Sequence, residues 1–355
     1  MVGVNHTRRK FLKTSGAVGA TGALTAVAGC LGDDEESITY FSWGAYISDD
    51  WIAPFEEDTG ITVETETYES NAAAINQIET SPEGTYDVWT PSGPGDSFER
   101  AYRNDLLEPI DLDNVPAWDE YIFDDIKLDE FWFDDELHMV PMTFGFDGAL
   151  YNHDELGDLG DTISYDALWD EAYDGELTTR DDAGTQVWTA AKYLGQDPDD
   201  PEDLEAVQAA LEDHVELVNT YWTSSAESIS IFQEGEASLG TAWDGAYHRL
   251  VDEGAPVSMA FWEEGTLGWL DGFCIAAGSE NKEAAERFID YQVSEVAREW
   301  FEGPQYAVLS EAVNYTDEEL ELYQLEMALE NTEFAAYNDD ETVQTYDEIW
   351  TDVTA

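Results

Sequence analysis

The 355-residue chain carries 13 basic against 81 acidic residues, a formal net charge of −68, with 43% hydrophobic and 13% aromatic residues. That balance excludes nucleic acid as a partner and disfavours anionic ligands, because only nine basic side chains lie beyond residue 13. The apolar content excludes a disordered chain. The acids therefore belong on the surface of a folded protein, and read as an adaptation to molar salt, where the Debye length falls to ~3 Å.

From the N-terminus, Thr7-Arg8-Arg9-Lys10-Phe11-Leu12-Lys13 has the form of a twin-arginine export signal. An uncharged run rich in Ala, Gly, Val and Leu follows, shorter than the ~20 residues that span a bilayer. It ends in Val27-Ala28-Gly29-Cys30, the small-residue pattern cut before an acylated Cys. Arg8 and Arg9 are thus expected to direct export, and residues 1–29 to be removed. Cys30 is expected to carry the lipid that holds the protein on the outer face of the cytoplasmic membrane. Residues 30–37 read as a polar tether. Cys274 is the one Cys left, so no intrachain disulfide is available, and its apolar surroundings predict a buried, inert thiol.

Beyond the tether, residues 38–42 are predicted as a strand and 49–58 as a helix that buries Trp51, Ile52 and Phe55 and stops at Gly60. With a second strand at 61–68 this is one βαβ unit. Residues 85–90 and 139–151 read as strands, 97–104 and 206–216 as helices, with later elements at 229–234 and 255–262. Apolar residues at helical spacing predict one helix over 281–301. Thr316-Asp317-Glu318-Glu319 reads as a capping box opening a last helix. About 320 residues in this pattern fit an α/β protein of two lobes.

Catalytic constellations are missing from the sequence. There is no Gly-rich phosphate loop, and His138, His153, His214 and His248 are scattered with no pair at i, i+4. Asp111-Leu112-Asp113-Asn114 lacks the Gly and distal Glu of a calcium loop. No catalytic residue, metal or cofactor is predicted.

Eight segments in order carry a resemblance. They are Tyr40-Phe41-Ser42-Trp43-Gly44-Ala45-Tyr46-Ile47, Phe55-Glu56-Glu57-Asp58-Thr59-Gly60-Ile61-Thr62-Val63, Tyr68-Glu69-Ser70-Asn71 and Gly84-Thr85-Tyr86-Asp87-Val88-Trp89-Thr90-Pro91-Ser92. Then come Val140-Pro141-Met142-Thr143-Phe144-Gly145, Gly240-Thr241-Ala242-Trp243-Asp244-Gly245, Trp269-Leu270-Asp271 and Asn281-Lys282-Glu283. From about residue 38 to 310 the chain is similar to the spermidine/putrescine-binding proteins of ABC importers.

The resemblance implies a two-lobed α/β fold of the periplasmic-binding-protein type II class, with a hinge between the lobes. Lobe 1 would comprise 38–146 and 270–319, and lobe 2 would comprise 147–269 and 320–355. It further implies a monomer that is not an enzyme, capturing a polyamine or other small organic cation for delivery to a permease driven by an ATPase. Such a ligand needs a carboxylate for each ammonium and aromatic faces for its methylenes. By resemblance Trp43 and Tyr46 are first-lobe aromatics, Ser92 a loop hydroxyl and Asp182 a second-lobe carboxylate. Trp243 is a stacking wall, Trp269 with Asp271 a hinge-side aromatic–acid pair, and Tyr306 a tyrosine on the following loop.

Two departures bear on specificity. The chain reads Ala183-Gly184-Thr185-Gln186 where those proteins carry a Glu, and Pro94 where binders of long polyamines have an aromatic residue. Asp244 is the candidate replacement counter-charge. A sugar, a thiamine-like cation or a metal on the same clamp is the alternative ligand class. An exported enzyme or a sensory lipoprotein is the alternative of another kind.

Overall fold

The computed structural model describes residues 36–355 except Pro94. Arg8, Arg9, Cys30 and Pro94 lie outside the described residues. β1 (Ser37–Trp43), α1 (Asp49–Thr59) and β2 (Thr62–Tyr68) form the expected βαβ unit, with β1 and β2 parallel. Local chemistry delimits α1: Ser48 caps it, Asp49 and Asp50 complement its N-terminal dipole, and Gly60 at φ 74° ends it. α2 (Asn71–Thr80), β3 (Val88–Trp89), β4 (Ser92–Gly93), α3 (Asp96–Arg103) and β5 (Leu107–Glu108) follow. A short α4 (Ala117–Glu120) and the hairpin of β6 (Trp132–Phe133) and β7 (Glu136–Leu137) lead into β8 (Val140–Asn152).

Next come α5 (His153–Leu156), β9 (Thr162–Ile163), β10 (Leu177–Arg180), α6 (Ala183–Tyr193) and α7 (Leu204–Val215). β11 (Val218–Trp222), α8 (Ser225–Glu234), β12 (Leu239–Trp243), α9 (Asp244–Asp252) and β13 (Val257–Trp262) continue the alternation. β14 (Thr266–Ala276), α10 (Lys282–Ser294), α11 (Ala297–Glu302) and β15 (Ala307–Val308) precede a helical stretch. That stretch holds α12 (Asp317–Tyr323), α13 (Leu325–Asn331), β16 (Thr332–Phe334) and α14 (Asp340–Val353). Among the described residues no helix is long and apolar enough to cross a membrane.

β8 and β14 organise the rest. Residues 140–146 of β8 pair antiparallel with 268–273 of β14. β14 also pairs β3, β4 and β5, and β3 carries the parallel strands β1 and β2. Past Phe146, β8 changes partners, pairing β12 over 147–151 and β13 over 149–152. β12 in turn carries β10 and β11 in parallel. Each parallel group is the sheet of one lobe, and the two long strands run between them. Few backbone positions then need to change for the lobes to rotate. The expected two-lobed α/β fold is present. Cys274 is free and buried at the β14–β3 junction, and burial pushes its thiol up.

Three expected elements are corrected. The strand at 85–90 shrinks to Val88–Trp89, because a turn closes from Pro82 to Thr85 and Pro91 has no N–H for a ladder. The helix at 281–301 is two helices. Ser294 Oγ donates to the Asp290 carbonyl at 2.6 Å, and Val296 N–H reaches back five residues to Tyr291, so the regular ladder breaks there. α12 opens on the Thr316–Glu319 capping box but is not the last helix, since Gln324 turns left-handed at φ 47° and two more follow.

Candidate functional site

The candidate residues lie at the carboxyl ends of parallel strands, where α/β sheets hold their ligands. Trp43 ends β1 and Tyr46 closes the turn after it; Asp182 follows β10 and caps α6. Trp243 ends β12 and Asp244 opens α9. Strand register brings these ends together. Residues opposite each other in an antiparallel pair share a face, as do alternate residues of one strand. Thr143 stands opposite Asp271, Gly145 opposite Trp269, and Asp147 opposite Trp243. These six positions form one row. Met142, Phe144 and Phe146 point the other way, into the core.

Asp271 anchors one end of the row. Its carboxylate is 6% exposed and accepts hydrogen bonds from the Tyr46 hydroxyl at 2.5 Å and the Ser92 hydroxyl at 2.6 Å. Both donors are themselves held. Thr143 Oγ1 lies 3.0 Å from the Tyr46 oxygen, and Asn71 Nδ2 donates to Ser92 Oγ at 3.0 Å. Burial pushes the Asp271 carboxyl up to about 6 against the pull of the two hydroxyls, so it is ionised at neutral pH. A carboxylate has about four acceptor positions, and two are used; the remaining ones suit the N–H groups of a cation.

Aromatic rings flank this carboxylate. Trp269 lies against Gly145, where an added β-carbon would sit 2.1 Å from Trp269 Cζ2. Tyr306 meets Trp269 edge-on, with centroids 4.8 Å apart at 84°, and packs on Gly245. Trp43 is half-buried, donates from Nε1 to the Thr90 carbonyl at 3.1 Å and leans on Tyr68 at 4.7 Å. Trp43, Tyr46, Ser92, Trp269, Asp271 and Tyr306 therefore belong to one connected neighbourhood.

The other end is built differently from the sequence expectation. Asp182 accepts from the Thr185 N–H at 2.9 Å and the Thr185 hydroxyl at 2.8 Å, and lies 3.8 Å from Arg180. Burial raises its carboxyl, but Arg180 and Thr185 outweigh that and hold it below the usual range. Its side chain is still 42% exposed. The Arg180 guanidinium also covers Trp243, 5.0 Å from the ring centroid, so one face of the expected stacking wall is already occupied. Gln186 spends its amide nitrogen on Thr179 Oγ1 at 2.8 Å and the Arg180 carbonyl at 2.6 Å.

Asp244 is buried, accepts from the Phe146 N–H at 3.3 Å and stands 4.0 Å from His248 Nε2. Burial pushes the Asp244 carboxyl well above the carboxylate range and lowers His248 to about 4. Burial thus disfavours the charged form of each, which weakens Asp244 as a counter-charge. Among the described residues, no group of three or more His, Cys, Asp or Glu side chains is placed to hold a metal ion.

A family model described as bacterial extracellular solute-binding protein matches residues 50–318. The chain belongs to this family. It is a solute-binding protein and not an enzyme. A model of the twin-arginine translocation signal matches residues 5–25, which assigns the protein to export. The chain is 26% identical over 275 residues to the spermidine/putrescine-binding periplasmic protein of Escherichia coli (strain K12), covering 77% of each. It is 27% identical over 289 residues to the putrescine-binding periplasmic protein PotF of the same strain, covering 76% of this chain and 77% of that protein. Its fold matches the spermidine/putrescine ABC transporter substrate-binding protein PotD from Streptococcus pneumoniae at a TM-score of 0.77 and 20% identity. That match covers 90% of this chain and 98% of that one.

In this solute-binding protein the residues that sequence reading passed over are Asn71, Thr143, Gly145, Arg180 and Asp147. Asn71, Thr143 and Gly145 sit inside the segments that carried the resemblance, but a hydroxyl, an amide and a missing side chain announce nothing by themselves. Arg180 was legible as one of few cations in so acidic a chain. Asp147 had the plainest signal, as the one charged residue in the 13-residue strand β8.

Proposed function

We propose that the protein captures a polyamine, or another small organic cation, in the interlobe cleft and passes it to a membrane permease driven by a cytoplasmic ATPase. Asp271 carries this reading: a buried, ionised carboxylate, steadied by two hydroxyl donors and walled by Trp269 and Tyr306. An ammonium over a tryptophan face gains ~0.5–2 kcal/mol, and each hydrogen bond to a charged group ~1.5–3. The polyamine-binding names of the relatives support the same ligand class. A lipid on Cys30, a monomeric state and a surface suited to molar salt complete the proposal.

Calorimetric titration of the mature chain in molar KCl with putrescine, spermidine and neutral sugars tests it. One amine is expected to bind saturably with one-to-one stoichiometry, because molar salt screens the acidic surface but not a desolvated pocket. Heat from a sugar with silence from every amine would move the ligand to another class.

Gly145→Ala tests the wall. The added methyl cannot coexist with Trp269 where it stands. Overpacking of ~1–3 kcal/mol is expected to appear as a roughly 10- to 100-fold loss of amine affinity, with a changed near-ultraviolet tryptophan signal. An unchanged affinity would remove Trp269 from the site.

A further inference from the structure

The row of side chains that starts at Asp271 ends at Asp147. That carboxylate is 4% exposed, and neither of its oxygens has a hydrogen-bond partner. An unpaired buried carboxylate is costly, and native structures retain one where something absent from the empty protein satisfies it. Its own neighbours do not. Arg180 is engaged with Asp182, the Trp243 ring and the Arg180-side hydroxyl of Thr185, 3.4 Å away. The Asp147 carbonyl accepts from Trp262 Nε1 at 3.0 Å, and the residue stands opposite Trp243 in the ladder. Its carboxyl group is idle.

Its placement says what kind of partner fits. Asp147 shares the strand face of Thr143 and Gly145, the positions opposite Asp271 and Trp269. At ~3.4 Å per residue, Thr143 and Asp147 are about 14 Å apart along β8. Asp271, opposite Thr143, and Asp147 therefore stand at the two ends of the row with Trp269 between them, an arrangement that matches an extended chain bearing an ammonium at each end.

We propose that Asp147 is the counter-charge for the ligand's second ammonium, making the site selective for long polyamines over short ones. Asp147 takes the part that Gln186 cannot play, since Gln186 is neutral and its amide nitrogen is spent. Binding is then coupled to proton release. Burial pushes the Asp147 carboxyl up to about 7, Arg180 lowering and Asp182 raising it, so the empty protein is partly protonated there at neutral pH. Asp244, Tyr165 and Tyr306 also face it, and burial raises all three, disfavouring their charged forms. An incoming ammonium favours the charged form and expels the proton.

This inference rests on the amine reading above. The test is calorimetry with spermidine on the mature protein and on Asp147→Asn, at pH 7 in two buffers of different ionisation heat. The parent is expected to release protons on binding. Asp147→Asn is expected to bind spermidine roughly 10- to 100-fold more weakly and to release fewer protons. The folded carboxyl lies above the ordinary unfolded value of about 3.9, so the empty parent loses stability as pH rises toward about 7. The Asn variant is therefore expected to melt no lower than the parent at pH 8, which separates lost affinity from lost fold. Spermidine binding by Asp147→Asn as tight as by the parent, or proton release that persists unchanged, overturns the inference and leaves the amine reading standing. A parent silent to every amine overturns both.

Discussion

Asp271→Asn is expected to weaken amine binding by ~3–5 kcal/mol, about 150-fold or more, because it removes one partner of a buried charge pair. The substitution keeps the shape of the side chain. The Tyr46 and Ser92 hydroxyls donate to different carboxylate oxygens, so in the Asn variant one keeps the amide oxygen as its acceptor and the other turns to accept from the amide nitrogen, and the network keeps its shape while losing its charge. Titration with the best amine ligand reads the loss, and a thermal melt of the empty variant confirms that it folds. Asp182→Asn is the informative companion. Asp182 is part-exposed and already committed to Arg180 and to the first turn of α6, so its loss is expected to cost far less affinity. Unchanged affinity in Asp271→Asn would remove Asp271 from the site.

Trp300→Ala is expected to lower folding stability by ~3–5 kcal/mol, read as a shifted urea midpoint with an unchanged slope. Trp300 is fully buried, stacks on Trp51 at 4.7 Å and meets Phe273 edge-on at 5.9 Å. It also links the core to the site. Its ring lies 5.3 Å from that of Tyr46, and its Nε1 donates to Gln292 Oε1 at 2.8 Å. Gln292 donates in turn to the Trp51 carbonyl, and Trp51 Nε1 donates to the Tyr46 carbonyl at 2.9 Å. Emptying this position leaves the Gln292 side chain partly unsatisfied and loosens Tyr46 against Asp271. Amine affinity is expected to fall as well, by less than in Asp271→Asn. A variant as stable as the parent would mean that this aromatic stack does not hold the first lobe together.

The alternation of strand and helix over residues 37–68 was readable because β1, α1 and β2 each carry their own signals. They have period-two or helical apolar spacing, a Ser48 cap and a left-handed Gly60. The lobe-crossing role of β8 was not readable. A strand buried on both faces over 13 residues looks like any apolar run, and its exchange of β14 for β12 and β13 is a tertiary fact. The division of 281–301 into α10 and α11 escaped for a related reason, since the apolar stripe runs unbroken through a bend made by Ser294 and Val296.

For the candidate site, residues whose chemistry is conspicuous, such as Trp269 and Asp271, were named through the resemblance. Those acting through position were not. Gly145 matters because Trp269 fills the space it leaves, and Arg180 because it lies on Trp243. Asp244 is a different case. Its neighbour Trp243 made it a natural counter-charge, and burial beside His248, which burial also lowers, disfavours its charged form.

The most direct test of the central claim, an amine seated on Asp271, is a crystal structure of the protein grown with spermidine. An ammonium is expected within hydrogen-bond distance of the Asp271 carboxylate, beside Ser92 and Tyr46, with the methylene chain running past Trp269. A ligand bound elsewhere, or a cleft holding no amine while Asp271 keeps the partners it has now, would contradict it.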